Sequence, residues 1–108
     1  MSCKNCCCYH VVSDISETMV ITLKNEPTNL KNEDKICFLI PKWLDIPDAP
    51  TTAVTIYVNG EAIEVRDRFG NPMVGNDLRN CLLYCGYYGS EGTAHVQIVN
   101  IPRKRCRL

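Results

Sequence analysis

Histidine is scarce in this sequence. His10 and His95 are the only two, and neither stands in the His-Glu-x-x-His pairing of a metalloprotease helix. His95 is expected on the polar face of a strand, beside Gln97. Net charge is absent as well: twelve Lys and Arg balance twelve Asp and Glu. A balanced chain has no bulk field to gather nucleic acid or an anionic membrane. No apolar run approaches the roughly 18–20 residues of a membrane-spanning helix. No secretory leader is expected either. Lys4 is followed by Asn5 and the triplet Cys6, Cys7 and Cys8, and His10 interrupts the region before an apolar run of about 7–15 residues can form. These absences point to folding in a cytoplasm.

Catalytic groupings are equally sparse. Glu61, Glu64 and Asp67 fall on the polar face of a hairpin or in a turn, where they do not converge as an acid–base pair. Gly86, Gly89 and Gly92 are spaced by three, but no lysine follows at phosphate-loop spacing and no strand–loop–helix unit surrounds them. A flexible loop is the expectation for them. The chain reads as a protein that is not an enzyme.

Cysteine, in contrast, is abundant, with eight in 108 residues. Four crowd the start (Cys3, Cys6, Cys7 and Cys8) and four are dispersed (Cys37, Cys81, Cys85 and Cys106). A dense set suggests disulfides or a metal site. Zinc is one option: Cys3 and Cys6 have chelating spacing, and Cys81 and Cys85 would complete four ligands, with His10 as an alternative donor. Crosslinking to a neighbouring subunit is a second, through Cys6, Cys7 and Cys8 at one terminus and Cys106 at the other. Free thiols, some buried as small apolar residues, are the third. A chain made in a reducing cell and oxidised after release is compatible with the count.

The remaining signals are those of short strands. Met19 to Leu23 alternates with the period of two of a pleated strand. Lys35 to Ile40 is apolar on both faces, as a covered strand would be. Pro41, Pro47 and Pro50 mark a loop. Residues 53–65 carry the clearest local code: Asn59-Gly60 suits a type I′ turn, in which both residues need positive φ. That turn places Ile56 opposite Ile63, Val54 opposite Val65 and Thr55 opposite Glu64, giving one apolar face and one polar face. Gly70-Asn71-Pro72 signals another turn. A single helical turn is expected over 76–80, with Asn76 or Asp77 as its cap. Cys81 to Tyr84 and Thr93 to Ile101 read as further strands.

About six to eight short strands in one domain predict an all-β fold, a β-sandwich of jelly-roll type or a barrel. The expected organisation is an irregular Cys-rich arm over 1–12, a β domain over 13–102 and a basic tail over 103–108. Arg103, Lys104, Arg105 and Arg107 make that tail either a solvated end or a contact for a partner's acidic patch or a phosphate backbone. Trp43, the single tryptophan, either caps one end of the core or anchors a partner. Tyr87 and Tyr88 are further candidates for a partner-facing surface.

Taken in order, these elements resemble a group of short cysteine-containing proteins of phages and prophages of clostridial-type gut bacteria. The features that carry the likeness are the Met-Ser-Cys arm, the strand Met19 to Leu23, the Lys35-Ile36-Cys37 strand leading to Ile46-Pro47-Asp48, the hairpin, Arg68-Phe69-Gly70-Asn71 and Leu78-Arg79. The resemblance implies a structural component of the virion, decorating or cementing the capsid and made in the bacterial host cytoplasm. The arm also resembles in plan the subunits of spore appendage fibres. That likeness implies a disulfide-crosslinked filament outside the cell or on a spore surface. A small zinc-stabilised binding module is the third alternative. In each case the implied partners are proteins, a capsid lattice or copies of the chain itself, with no membrane and no nucleic acid.

Overall fold

A computed structural model describes residues 9–104 of the chain. It contains eight strands: β1 (His10–Ile15), β2 (Val20–Leu23), β3 (Lys35–Leu39), β4 (Thr55–Val58), β5 (Glu61–Arg66), β6 (Leu82–Gly89), β7 (His95–Ile98) and β8 (Arg103–Lys104). The sheet order is β3-β1-β2-β4-β5-β7-β6, and β6 pairs back to β3, so seven strands close into a barrel. The short β8 adds to β6 beyond the reach of β7. The fold is therefore all-β, and of the expected architectures it is the barrel. Three pairings are parallel, β1 with β3, β2 with β4 and β5 with β7, and the others are antiparallel.

Alternation along each strand fills the interior. Ile21 and Leu23 of β2, Ile36 and Phe38 of β3, Ile56 and Val58 of β4, and Ile63 and Val65 of β5 all point inward and are buried. Tyr84 and Tyr88 of β6 and Val96 and Ile98 of β7 complete the ring. Phe38 stacks on Tyr84 with centroids 5.2 Å apart. A barrel of about this strand number is just wide enough to be packed solid by side chains.

The hairpin has the register that its Asn-Gly turn dictates: Ile56 faces Ile63 and Thr55 faces Glu64. Asn59 and Gly60 have φ of 51° and 81°. A neighbouring loop clamps the turn. Leu30 N donates to Asn59 Oδ1 at 2.9 Å, and Gly60 N donates to a Glu26 carboxylate oxygen at 2.6 Å.

Three elements differ from expectation. β1 begins at His10, so residues 10–12 belong to the barrel and not to an arm. A bulge between Val12 and Asp14 turns both Val12 and Ile15 inward with two polar residues between them. That irregularity erases the period-two signature. β6 runs on through Gly86 and Gly89, which are strand residues and not loop. A Cβ on Gly86 would collide with the Gln97 backbone carbonyl, and one on Gly89 would press on the His95 ring. Glycine here permits close approach of neighbouring strands. Finally, the helical turn is a 3-10 turn over Gly75–Asp77, in which Asp77 Oδ2 accepts from Val74 N at 3.0 Å. Asp77 thus caps from the third position of the turn.

Candidate functional site

The pairings set strand direction, and direction sorts the loops between two ends. β1, β3, β5 and β7 run one way, and β2, β4 and β6 run the other. Loops 24–34, 59–60 and 90–94 therefore share one end. Polar contacts tie it down: besides the Asn59 and Glu26 contacts, Ser90 N donates to Asn32 Oδ1 at 3.1 Å. Loops 16–19, 40–54 and 67–81 share the opposite end, and the 99–102 segment, which joins β7 to β8 along the wall, lies beside the 67–81 loop. This second end carries the most exposed large apolar side chains of the described residues: Trp43 at 70%, Phe69 at 73% and Ile101 at 63% of full exposure.

Trp43 does not cap the core. Leu44 and Ile46 of the same loop pack against the interior instead. The loop is pinned by Asn80, whose Nδ2 donates to Pro41 O at 2.8 Å and to Leu44 O at 2.6 Å. With its neighbours anchored in this way, Trp43 faces solvent.

Between the 67–71 turn and the 99–103 segment lies a cleft of about 270 Å³, lined by Arg68, Phe69, Met73, Tyr84, Asn100 and Ile101 among others. Its origin is a divergence of strands. β5 and β7 pair as far as Arg66 and Gln97. Beyond that point the chain after β5 curls into a turn, in which Asp67 Oδ1 accepts from Phe69 N and Asn71 N, both at 2.9 Å. The chain after β7 bows outward, and the Asn100 side chain fills the gap in the ladder. Cys85 N donates to Asn100 Oδ1 and Asn100 Nδ2 donates to Leu83 O, both at 2.9 Å.

At the base of the cleft the Tyr84 hydroxyl donates to Asp77 O at 3.0 Å and accepts from Arg79 N at 2.9 Å. Burial holds its pKa above the ordinary tyrosine value, so the hydroxyl is neutral at physiological pH. The rim is basic. The Arg68 guanidinium lies 4.9 Å from the centroid of the Phe69 ring, and Arg103 and Lys104 are exposed on β8. Among the described residues the one ion pair is Arg66 with Glu64 at 2.9 Å. Arg68, Arg103 and Lys104 thus have no carboxylate partner there.

Two of the dispersed cysteines pair with each other within the chain. Cys37 and Cys85, directly opposed on β3 and β6, form a disulfide. Cys85 turns its N–H and C=O toward Asn100 and Val99. It therefore meets Cys37 at a non-hydrogen-bonded position, where opposed side chains come closest. Together with Leu39 and Leu83 they form a small apolar cluster outside the barrel wall. Cys81 is also a disulfide cysteine. Cys81 and Cys85 are thereby removed from the zinc set, because a metal ligand must be a thiolate. Among the described residues no group of three or more His, Cys, Asp or Glu is arranged to hold a metal. His10 is a β1 residue in register with Phe38, and His95 Nδ1 hydrogen-bonds to Thr93 O at 2.8 Å. Cys3, Cys6, Cys7, Cys8, Arg105, Cys106 and Arg107 lie outside the described residues.

Tyr87 and Tyr88 separate. Tyr87 is exposed on the outer wall, whereas Tyr88 is buried in the core and presents no partner surface. Successive strand residues face opposite sides, so adjacent tyrosines in a strand cannot share a face. Arg103 and Lys104, expected in a free tail, pair with Leu83 and Leu82. Neither Phe69 nor Ile101 was a partner-surface candidate from the sequence, where Phe69 figures only within Arg68-Phe69-Gly70-Asn71. The available signal was a phenylalanine inside a turn, flanked by Arg68 and Gly70, where a polar residue is the norm.

No family model, curated protein or solved structure matches this chain.

Proposed function

We propose that this chain is a non-enzymatic structural protein that docks end-on to a protein lattice, a phage capsid being the lattice that its sequence resemblance implies. The supporting observation is the gathering of Trp43, Phe69 and Ile101 at one end of the barrel, opposite an end tied by polar contacts. Exposed aromatic side chains of this size are the usual anchors of protein interfaces. Loops on a rigid barrel can present them without loss of stability to the fold. Closure of the seven strands favours docking through loops over sheet-to-sheet polymerisation, because closure removes strand edges. The Cys37–Cys85 bridge fits a chain made in a host cytoplasm and oxidised after release.

Light scattering on the purified protein, with and without reductant and with zinc measured on the same sample, tests this reading. The expected result is a small, zinc-free species whose size ignores reductant. Large assemblies that collapse on reduction would replace it with a crosslinked extracellular fibre. Stoichiometric zinc with unfolding by chelator would replace it with a zinc module.

A further inference from the structure

We propose that Cys81 is bridged to Cys106 of the same chain. The bridge fastens the basic end of the chain to the barrel and leaves Cys3, Cys6, Cys7 and Cys8 as the cysteines that can link one copy to another. It holds whether or not the apolar end docks on a lattice.

Cys81 is a disulfide cysteine, and its partner is neither Cys37 nor Cys85, which hold each other. Cys3, Cys6, Cys7, Cys8 and Cys106 are the other cysteines of the sequence. Strand register separates them. β8 runs antiparallel to β6, with Leu83 opposite Arg103 and Leu82 opposite Lys104. Cys81 immediately precedes β6, and Cys106 follows β8 with only Arg105 between. The ladder continued by one step sets Arg105 opposite Cys81, with Cys106 one position out of register. Neighbouring strands lie about 4.8 Å apart and advance about 3.4 Å per residue, so Cα atoms one step out of register are about 6 Å apart. Disulfide cysteines have Cα atoms roughly 4.4–6.8 Å apart. Strict alternation would turn the two side chains to opposite faces. Cys81 escapes it, because its φ of 69° is left-handed and frees its side chain from the pleat of β6.

The amino-terminal cysteines start from the wrong end. β1 is parallel to β3, with His10 opposite Phe38, so the chain enters β1 from the end at which β3 begins. Cys81 sits where β3 finishes, and its N–H donates to Ile40 O at 2.7 Å. Each of the four would reach it only by reversing along β3. Burial adds a second argument. Cys81 is 4% exposed, which suits a thiol from its own chain and shuts out one from a second copy. The bridge forms by thiol–disulfide exchange with a small-molecule disulfide such as oxidised glutathione. The two protein thiols give up two protons and two electrons, which the external disulfide takes up as two thiols.

The test is disulfide mapping of the full chain after equilibration with oxidised glutathione. Free thiols are blocked with iodoacetamide, and the protein is cut with trypsin and chymotrypsin without reduction. Cleavage after Tyr84 separates Cys81 from Cys85, and cleavage after Arg105 isolates the peptide Cys106-Arg107. Mass spectrometry is expected to find the Cys81 peptide joined to Cys106-Arg107. A Cys81 peptide joined to any of residues 1–9, or carrying the alkyl label, would overturn the assignment. Cys106→Ser is expected to convert Cys81 from unlabelled to fully labelled once the protein is unfolded in guanidinium; a Cys81 that stays unlabelled would also overturn it. Replacing Cys3, Cys6, Cys7 and Cys8 together by serine separates a bridge within the chain from one between chains. That variant is expected to keep the Cys81–Cys106 link and run as a monomer on a non-reducing gel. A dimer that disappears on reduction would move the bridge to the interface between copies and overturn the proposal.

Discussion

Tyr84 shows how much a single side chain does in this barrel. Its ring stacks on Phe38 and its hydroxyl joins Asp77 O to Arg79 N, so it fastens the loop after the 3-10 turn to the core. Removing the hydroxyl in Tyr84→Phe leaves two backbone groups without this partner and is expected to cost about 1–3 kcal/mol in urea unfolding. The same residue contributes a pH dependence. Burial raises its pKa above 10.0, so the folded state holds the proton where the unfolded chain releases it. Its contribution is complete below about pH 10 and declines as pH rises through that value toward the raised folded pKa. Urea midpoints of the parent are expected to fall more steeply above pH 10 than those of Tyr84→Phe. Parallel curves would show that the hydroxyl is not responsible.

Among the elements, β6 and the hairpin use glycine for opposite reasons. Gly60 needs its positive φ of 81°, yet has open space around its missing Cβ; Gly86 has ordinary backbone and no space. Gly60→Ala is expected to cost about 1–2 kcal/mol from the backbone alone. Gly86→Ala drives a methyl into the Gln97 carbonyl and is expected to cost about 3 kcal/mol or more, because the strand must move. Equal midpoints for the two variants would contradict this contrast. The hairpin was legible in the sequence because turn chemistry and alternation agree over adjacent residues. β1 and the second half of β6 were not legible. A bulge broke the alternation in one, and glycines that mark close strand approach resemble loop residues in the other.

At the scale of the whole molecule, β3–β6 is the seam that closes the barrel, and the Cys37–Cys85 bridge lies across it. The bridge spans a sequence separation of 48 residues. In the chain-entropy view, a loop of that length stabilises the fold by about 4 kcal/mol through restriction of the unfolded chain. The double variant Cys37→Ala with Cys85→Ala is therefore expected to lose roughly that amount in guanidinium unfolding, with far-UV circular dichroism unchanged. An unchanged midpoint would show that this bridge does not contribute to stability. The same closure sorts the loops into a tied end and an apolar end.

The sequence by itself determined the all-β class, the hairpin and its register, the proline-marked loop and the single small domain. Each of these is written in local alternation, turn residues or composition. Tertiary structure alone decided the barrel closure, the pairing of Cys37 with Cys85 and the burial of Tyr88 beside an exposed Tyr87. It also decided the meeting of Phe69 with Ile101 across a cleft. These depend on contacts between residues tens of positions apart, and such contacts follow from strand order and register around the whole barrel, which no local pattern encodes.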